Sequence, residues 1–493
     1  MRKSVPRHLA SPLTARPLLT LLLLLLLTTS VASVPRSATS VDAIAGSVRG
    51  KQLDRHLTAL KNIADMHGGT RSRGTPGYDA SVAYVAGQLR GFGYDVSYTD
   101  VEFGKSWTEP SPPGMAQVSP RQRTYSTPDD FATVVSSGAG DVAARIRPVD
   151  VMLPMPPAEN ASTSGCEMSD FKDFAPGDIA LLQRGTCSHY LKARNAEAAG
   201  AGGIVFFNDG YPGRTDPFVF DIADWRWALP IVYATAAVGQ DLAAAPDTTV
   251  RLEVDARAET GLIRNVLAES PRGSADDVVL AGGHLDSAPE GPGMNDNASG
   301  VAALLETARV LADQPLRNRV RFAFWGGEAA GLLGSTQYVG ALPAAERERI
   351  GLYLNFDMLA SPNYAYKILD GDDSDGVGAP AGPPGSAAIE RVFASYYERR
   401  GLGHVGIDFA GTSDYSPFTA HGIPVGGLVT GARGLKTETE AALFGGRAGE
   451  AYDPCHHRAC DTGANVDGTA LRTNAGAVAT AVATYAFGAP VQG

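Results

Sequence analysis

Hydrophobic positions recur with two different periods along the chain, and the change of period predicts where helices and strands lie. Within 53–63 and 82–89 they return every three or four residues, which predicts two amphipathic helices. The stretch YDVSYTDVEF at 94–103 alternates apolar and polar residues, as a half-buried strand does. The segment 104–130 is rich in Pro, Ser and Gln, so we expect an irregular connection there.

Short apolar runs separated by turn residues characterise 131–255. The runs FATVV, DIALLQRG, GGIVFFND and LPIVYAT predict strands, and SHYLKARNAEAAGAG predicts a helix between two of them. We interpret this region as a compact, β-rich module. It groups no catalytic residue types, and His189 is a lone histidine on the predicted helix.

Strands and helices alternate from residue 262 onwards. DVVLAGGHLDS at 277–287, RVRFAFWGGE at 319–328 and GLYLNFDM at 351–358 predict buried strands. Between the first two, 299–314 predicts a helix whose start Asn297 or Ser299 can cap. Such alternation predicts an α/β fold with a largely parallel sheet that is covered by helices on both faces.

The N-terminus has the pattern of a signal peptide over residues 1–32. Four basic side chains precede an apolar run at 18–27, and Ser30-Val31-Ala32 offers small residues for cleavage. A membrane anchor is the alternative, but the run is shorter than the roughly 20 apolar residues that a spanning helix needs. We therefore expect a secreted protein that has no membrane association after cleavage.

Charge and cysteine content narrow the partners and the compartment. The formal net charge is −11 and no basic run occurs, which argues against nucleic acid as a partner. Of the three ways to pair four cysteines, the simplest joins Cys166 to Cys187 and Cys455 to Cys460. Disulfides of this kind persist in exported proteins.

Side chains that can bind a metal gather where the predicted strands end. Strand alternation would put His284 and Asp286 on one side, so that the Asp286 carboxylate accepts a hydrogen bond from the imidazole. Two histidines with several carboxylates fit zinc, and a carboxylate can bridge two metal ions about 3.5–4 Å apart. The candidate residues are His284, Asp286, Asp296, Glu328, Asp357 and His457.

Other catalytic patterns are missing from the sequence. It has no H-E-x-x-H, no strict G-x-S-x-G, no P-loop and no dinucleotide-binding fingerprint. The motifs GGHLDS, GPGMNDNASGVAALLETA, RFAFWGGEAAGLLGS, YLNFDM and YDPCHHRACD instead resemble the secreted bacterial leucine aminopeptidases, within a larger family of zinc-dependent exopeptidases. Residues 160–210 are similar to a protease-associated domain.

The resemblance implies a fold, a domain organisation and a class of substrate. The expected fold is a mixed sheet sandwiched between helices, the zinc exopeptidase fold. Residues 41–130 and 256–490 would form the peptidase domain, with the protease-associated domain inserted at 131–255. Peptides or proteins with a free N-terminus would be the substrates, and we expect a monomer with one or two zinc ions per chain.

The resemblance also implies a role for each candidate side chain. His284 and Asp357 would bind one zinc ion, Asp296 would bridge two, and His457 would bind the second. Glu328 would be the general base that takes a proton from the metal-activated water.

Four positions depart from the pattern of the resembling family. Where a second acid is expected next to the base, the chain has Ala329, which predicts a weak or empty second metal site. His456 stands where a tyrosine would hold the oxyanion, and its imidazole can still donate a hydrogen bond there. Thr412 replaces an arginine. Val429 replaces an aromatic residue of the hydrophobic pocket, which argues against a preference for large apolar N-terminal residues.

Two alternatives to an active aminopeptidase stay open at this point. Ala329 favours a catalytically silent relative that binds peptides. A zinc exopeptidase of different specificity, such as a carboxypeptidase or a glutaminyl cyclase, is the other alternative.

Overall fold

The computed structural model describes residues 41–153, 156–157, 160–218, 220, 222, 227–245, 247–376 and 381–488. The predicted signal peptide, residues 1–32, lies outside these ranges. Within them, no helix combines the length and the apolarity that crossing a bilayer requires.

The described elements agree with the predicted alternation of helices and strands. The helices are α1 (Val41–Gly46), α2 (Gly50–Met66), α3 (Pro76–Gly91), α4 (His189–Ala198), α5 (Ala236–Ala244), α6 (Ala298–Leu311), α7 (Leu333–Ala341), α8 (Ala344–Glu348), α9 (Ser386–Glu398), α10 (Ser416–Ala420), α11 (Glu438–Phe444) and α12 (Gly468–Phe487). The strands are β1 (Asp95–Ser119), β2 (Arg123–Tyr125), β3 (Phe131–Thr133), β4 (Gly140–Pro148), β5 (Ile179–Gln183), β6 (Gly203–Phe207), β7 (Ile231–Ala234), β8 (Thr249–Glu269), β9 (Ser274–His284), β10 (Asn318–Trp325), β11 (Ile350–Phe356), β12 (Lys367–Leu369), β13 (Val405–Ile407) and β14 (Val425–Val429).

The strands form a mixed sheet in the order β13-β12-β14-β11-β9-β10-β8-β4-β5-β6-β7-β3, and β1 pairs with β8 and β2. Its centre is parallel, because β9 pairs in parallel with both β10 and β11, and β11 with β14. Antiparallel pairs join β8 to β10 and β12 to β14. The predicted fold class, a mixed and largely parallel sheet, is confirmed.

Helices cover both faces of the central strands. Along β10, Val320 and Phe322 belong to one buried cluster with residues of α2, α3, α6, α9 and α12. The alternating Ala323 and Trp325 belong to a second cluster with residues of α7 and α10. Period-two alternation of large apolar side chains thus supplies two cores, one on each face of the sheet.

A long antiparallel ribbon is present where the sequence predicts an irregular connection. The segment 104–130 was predicted to be an irregular connection, but β1 continues to Ser119 and pairs with β8 along its length. The register shifts between Thr108 and Ser111 and again between Ser111 and Gly114. Proline lacks an N–H to donate and is tolerated in strands at such bulges, which is why the proline-rich composition was misleading.

The inserted module has its own small cores. Strands β5, β6 and β7 are parallel neighbours, and their side chains divide between two buried clusters on opposite faces. His189 packs against the rings of Phe206, Phe220 and Tyr233, and its burial lowers its pKa to about 4. This histidine is therefore a neutral, partly buried residue that packs against the core of the module.

Both predicted disulfides are confirmed. Cys166 pairs with Cys187 in the module, and Cys455 pairs with Cys460 in a loop of the peptidase part. The second pair closes a tight turn between α11 and α12, and that turn carries two histidines.

Candidate metal centre

Three neighbouring strands deliver side chains to one edge of the sheet. His284 is the last residue of β9, Asp357 follows β11, and Glu328 follows β10 after two glycines. Gly327 has φ of +76°, and a Cβ there would lie 2.7 Å from the Ile263 side chain. Glycine is needed at this turn, which starts the short 3₁₀ segment that carries Glu328.

His284, Asp296 and Asp357 converge on one point, as predicted. The His284 Nε2 lies 3.0 Å from Asp296 Oδ1 and 3.2 Å from Asp357 Oδ1. Their side chains are 4%, 6% and 17% exposed, respectively. We call this group the first position; its donors are one imidazole and two carboxylates.

A second group of donors meets the other oxygen of Asp296. His457 Nε2 lies 3.1 Å from Asp296 Oδ2, and His456 Nε2 lies 3.3 Å from the same oxygen. We call this group of three the second position. Asp296 faces one position with each of its oxygens, as a bridging carboxylate does.

The spacing of these donors fits zinc. Donor atoms around a tetrahedral zinc ion lie about 3.3 Å apart when the bonds are about 2.0–2.1 Å long. The four nitrogen-to-oxygen distances in the two positions fall between 3.0 and 3.3 Å. Imidazole and carboxylate are also the ligand types that zinc accepts.

Charge in this edge of the sheet is concentrated and buried. Burial alone would raise the pKa of Asp296, but hydrogen bonds from His284 and His457 hold it well below its usual range. Burial raises the pKa of Glu328 well above its usual range, and the nearby Asp357 adds to that rise. Buried carboxylates that face imidazoles are stabilised by a shared cation.

The predicted hydrogen bond from the Asp286 carboxylate to His284 is wrong. The backbone carbonyl of Asp286 accepts from His284 Nδ1 at 3.0 Å, whereas the carboxylate is 3.8 Å away. The reason is that β9 ends at His284, so the alternation of a strand does not extend to residue 286. The carboxylate instead accepts the backbone N–H of Glu328 at 3.4 Å and so contacts the turn that carries this acid.

Asn297 links the start of α6, which follows Asp296, to the backbone around Asp357. Its Oδ1 accepts the backbone N–H groups of Gly300 and Met358, at 3.0 and 3.1 Å. Its Nδ2 donates to the Phe356 carbonyl at 2.9 Å. The side chain thus caps α6, as predicted, and also binds the backbone on both sides of Asp357.

Sequence analysis missed Arg71, which holds the loop before Asp296. The side chain is fully buried and donates to the carbonyls of Leu285, Pro292 and Gly293 at 2.5, 2.9 and 2.9 Å. Its segment, GGTRSRGTPG, has only the pattern of a loop, and a basic residue in a loop is usually exposed. The sequence therefore carries no signal for this contact.

Asp461 and Asp453 were missed as well. Asp461 accepts the backbone N–H groups of Asn295 and Asp296 at 2.9 and 3.0 Å, and Asp453 accepts from the Asn295 side chain at 2.6 Å. Both acids flank the Cys455–Cys460 turn, so the turn and the Asp296 loop form one hydrogen-bonded unit. The signal available in the sequence is this pair of acids around YDPCHHRACD.

A cavity of about 530 Å³ opens beside both positions. Glu328, Ala329, Asp296 and His456 are among the residues that line it. Apolar side chains line much of the remainder, among them Met358, Leu369, Ile407, Leu428 and Val429. A cavity of this size that holds an acid beside a cluster of metal-type donors is typical of an enzyme active site.

Comparison with known proteins agrees with this description. Residues 265–482 match the model of peptidase family M28, and residues 151–242 match that of the PA domain. The second match lies within the predicted module at 131–255.

Two bacterial relatives are similar over most of the chain. An aminopeptidase of Pseudomonas aeruginosa is 45% identical over 430 residues, which are 86% of this chain and 78% of that protein. The probable lipoprotein aminopeptidase LpqL of Mycobacterium tuberculosis is 40% identical over 473 residues, 92% of this chain and 89% of that protein.

Solved structures share the fold. An aminopeptidase from Aneurinibacillus sp. strain AM-1 has a TM-score of 0.58 at 23% identity, covering 92% of this chain and 97% of that one. The zinc aminopeptidase BSAP from Bacillus subtilis has a TM-score of 0.52 at 23% identity, with 90% and 96% covered.

Fold and site together define a metallopeptidase with an inserted protease-associated domain. The chain belongs to peptidase family M28 and is a metalloaminopeptidase.

Proposed function

We propose that this protein is a secreted, zinc-dependent aminopeptidase that removes the N-terminal residue of peptides, with Glu328 as general base. The observation that carries the proposal is the shared cavity. Glu328 lines it together with Asp296, Asp357 and both histidines of the second position. Bound zinc would polarise the scissile carbonyl and lower the pKa of a water molecule there.

Glu328 is suited to move a proton between that water and the leaving amine. Its side chain is half-buried, and the backbone N–H of this residue is fixed by Asp286. Burial raises the pKa of this carboxyl, which makes it a stronger proton acceptor than an exposed glutamate. His284, Asp296, Asp357 and His457 are proposed as zinc ligands.

The first experiment compares substrates with and without a free amine. Purified protein is assayed on leucyl and lysyl p-nitroanilides and on their N-acetylated forms, after chelation and again after zinc is added. We expect hydrolysis of the free-amine substrates only, loss of activity with chelator, and recovery with zinc. Absence of turnover at every zinc concentration would instead favour the silent, peptide-binding alternative.

Export is part of the proposal. Both disulfides are formed, and such bonds persist outside the reducing cytosol. The test is to express the full chain in a bacterial host and determine the N-terminal residue of the protein in the medium. Cleavage after Ala32 with release into the medium is expected; retention of residues 1–32 on a membrane-bound chain would contradict it.

A further inference from the structure

We propose that His456 is a ligand of the metal ion at the second position, where it replaces the carboxylate that is missing at Ala329. The inference rests on the proposed function, because it concerns the same metal centre. It reverses the expectation from the sequence, which treated Ala329 as a loss and assigned His456 to an oxyanion.

The first argument is the direction of the imidazole. His456 Nε2 lies 3.3 Å from Asp296 Oδ2, the same oxygen that His457 Nε2 approaches to 3.1 Å. Both nitrogen-to-oxygen distances are close to the separation of about 3.3 Å that neighbouring ligands have on one tetrahedral zinc ion. His456 Nε2 thus lies at nearly the same distance from the bridging oxygen as His457 Nε2.

The second argument is the backbone that presents the two histidines. Successive side chains on an extended chain point to opposite sides, so neighbouring residues seldom share a ligand. Here His457 has a left-handed φ of +55° in the turn that the Cys455–Cys460 bond closes. The two rings consequently lie side by side, with centroids 3.9 Å apart and planes inclined by 30°.

The third argument is the environment of the other ring nitrogen. His456 Nδ1 is buried and has no hydrogen-bond partner among the described residues. Among the described residues, the ring is thus oriented through Nε2, which faces the Asp296 carboxylate. A zinc ion bound to Nε2 would place the ring proton on Nδ1.

The donor set also compensates for Ala329. Ala329 lines the same cavity as Asp296, His456 and His457, but its methyl group offers no ligand atom. With His456 the second position has three protein donors, two imidazoles and one carboxylate, as many as the first position. Replacing a carboxylate with an imidazole shifts the preference towards zinc, cobalt and nickel and away from magnesium and calcium.

The test is a cycle of four proteins: wild type, His456→Tyr, Ala329→Glu and the double variant. Each is loaded with zinc and passed through a desalting column, and zinc per chain is measured by mass spectrometry. We expect two equivalents in the wild type, one in His456→Tyr, and two again in the double variant and in Ala329→Glu. Titration should show the second zinc bound about 100-fold more weakly, or more, in His456→Tyr.

The possible outcomes test the ligand role of His456 separately from the proposed aminopeptidase activity. Two equivalents in His456→Tyr would overturn it, because His456 would then not be a ligand. One equivalent in the wild type would also overturn it and support the weak site that Ala329 alone predicts. No equivalent in His456→Tyr would show a structural role instead. A wild type that hydrolyses anilides with one zinc refutes the inference alone, whereas two zinc ions without hydrolysis refute the function alone.

Discussion

The two metal positions share Asp296 but are built differently. At the first position, the other donors, His284 and Asp357, lie at the ends of neighbouring parallel strands. At the second position, the other donors are consecutive residues of one disulfide-closed turn, and His457 is more exposed than any donor of the first position. Regular secondary structure therefore fixes the first position, while a crosslinked loop and its hydrogen bonds to the Asp296 loop fix the second.

Because they are built differently, the two positions should tolerate different substitutions. The first depends on sheet register, so its geometry persists as long as the fold does. The second depends on local contacts, which fits the proposed replacement of a carboxylate at position 329 by His456. We therefore expect substitutions to affect the two positions together only when they reach Asp296 or the loop that carries it.

The largest effect is expected for Asp296→Asn. The amide keeps the shape of the side chain but removes the charge that faces both positions, so both lose affinity for zinc. Hydrolysis should fall below detection, and zinc per chain should fall close to zero. Asp241→Asn, on a helix of the inserted module, is the matched control and should keep both. Retention of one tightly held zinc by Asp296→Asn would show that the positions do not share this residue.

Glu328→Gln should separate chemistry from metal binding. An amide cannot accept the proton, so we expect kcat to fall by about 10²- to 10⁴-fold. The zinc content should equal that of the wild type, because Glu328 is not one of the donors of either position. A parallel loss of zinc would make Glu328 a ligand and would end the assignment as general base.

Arg71→Met should weaken the loop on which both positions depend. The change leaves three buried carbonyls without their donor, each costing about 1–3 kcal/mol. Urea unfolding should show a stability loss of about 3 kcal/mol or more. The exposed Arg90→Met should change stability by no more than about 0.5 kcal/mol. Equal midpoints for the two variants would contradict the structural role of Arg71.

Removal of the Cys455–Cys460 disulfide should have the smallest effect, and that effect should be confined to the second position. In Cys455→Ser/Cys460→Ser the turn loses its crosslink, so the second zinc should bind about 10-fold more weakly while the first is unchanged. Cys166→Ser/Cys187→Ser removes the other disulfide, in the inserted module, and should leave both affinities as they are. Equal weakening of both zinc ions in the first variant would argue against a locally built second position.

Much of the fold and of the first position follows from the sequence alone. Apolar runs with the right length and period locate β9, β10 and β11, and parallel strands present their ends at one edge, which brings His284 and Asp357 together. The length of β1 was missed, because proline composition carries no information about bulges. The extent of this strand is set by pairing with β8, which is distant in the chain.

The second position was only partly predictable for the same reason. His457 and Asp296 are candidate ligands from the sequence and take their individual roles from the resemblance, but the direction of the His456 ring depends on the left-handed backbone of His457 in a closed turn. Arg71, Asp453 and Asp461 depend on burial that no local pattern reports. The Asp286 carboxylate was misassigned because the strand ends two residues earlier.

The central claim is that His284, Asp296 and Asp357 bind a zinc ion beside Glu328. The most direct test is anomalous diffraction at the zinc absorption edge from crystals of the zinc-loaded protein. The account predicts a peak about 2.0–2.2 Å from His284 Nε2 and from a carboxylate oxygen of each aspartate. Absence of a peak among these three side chains, with zinc elsewhere or absent, would contradict it.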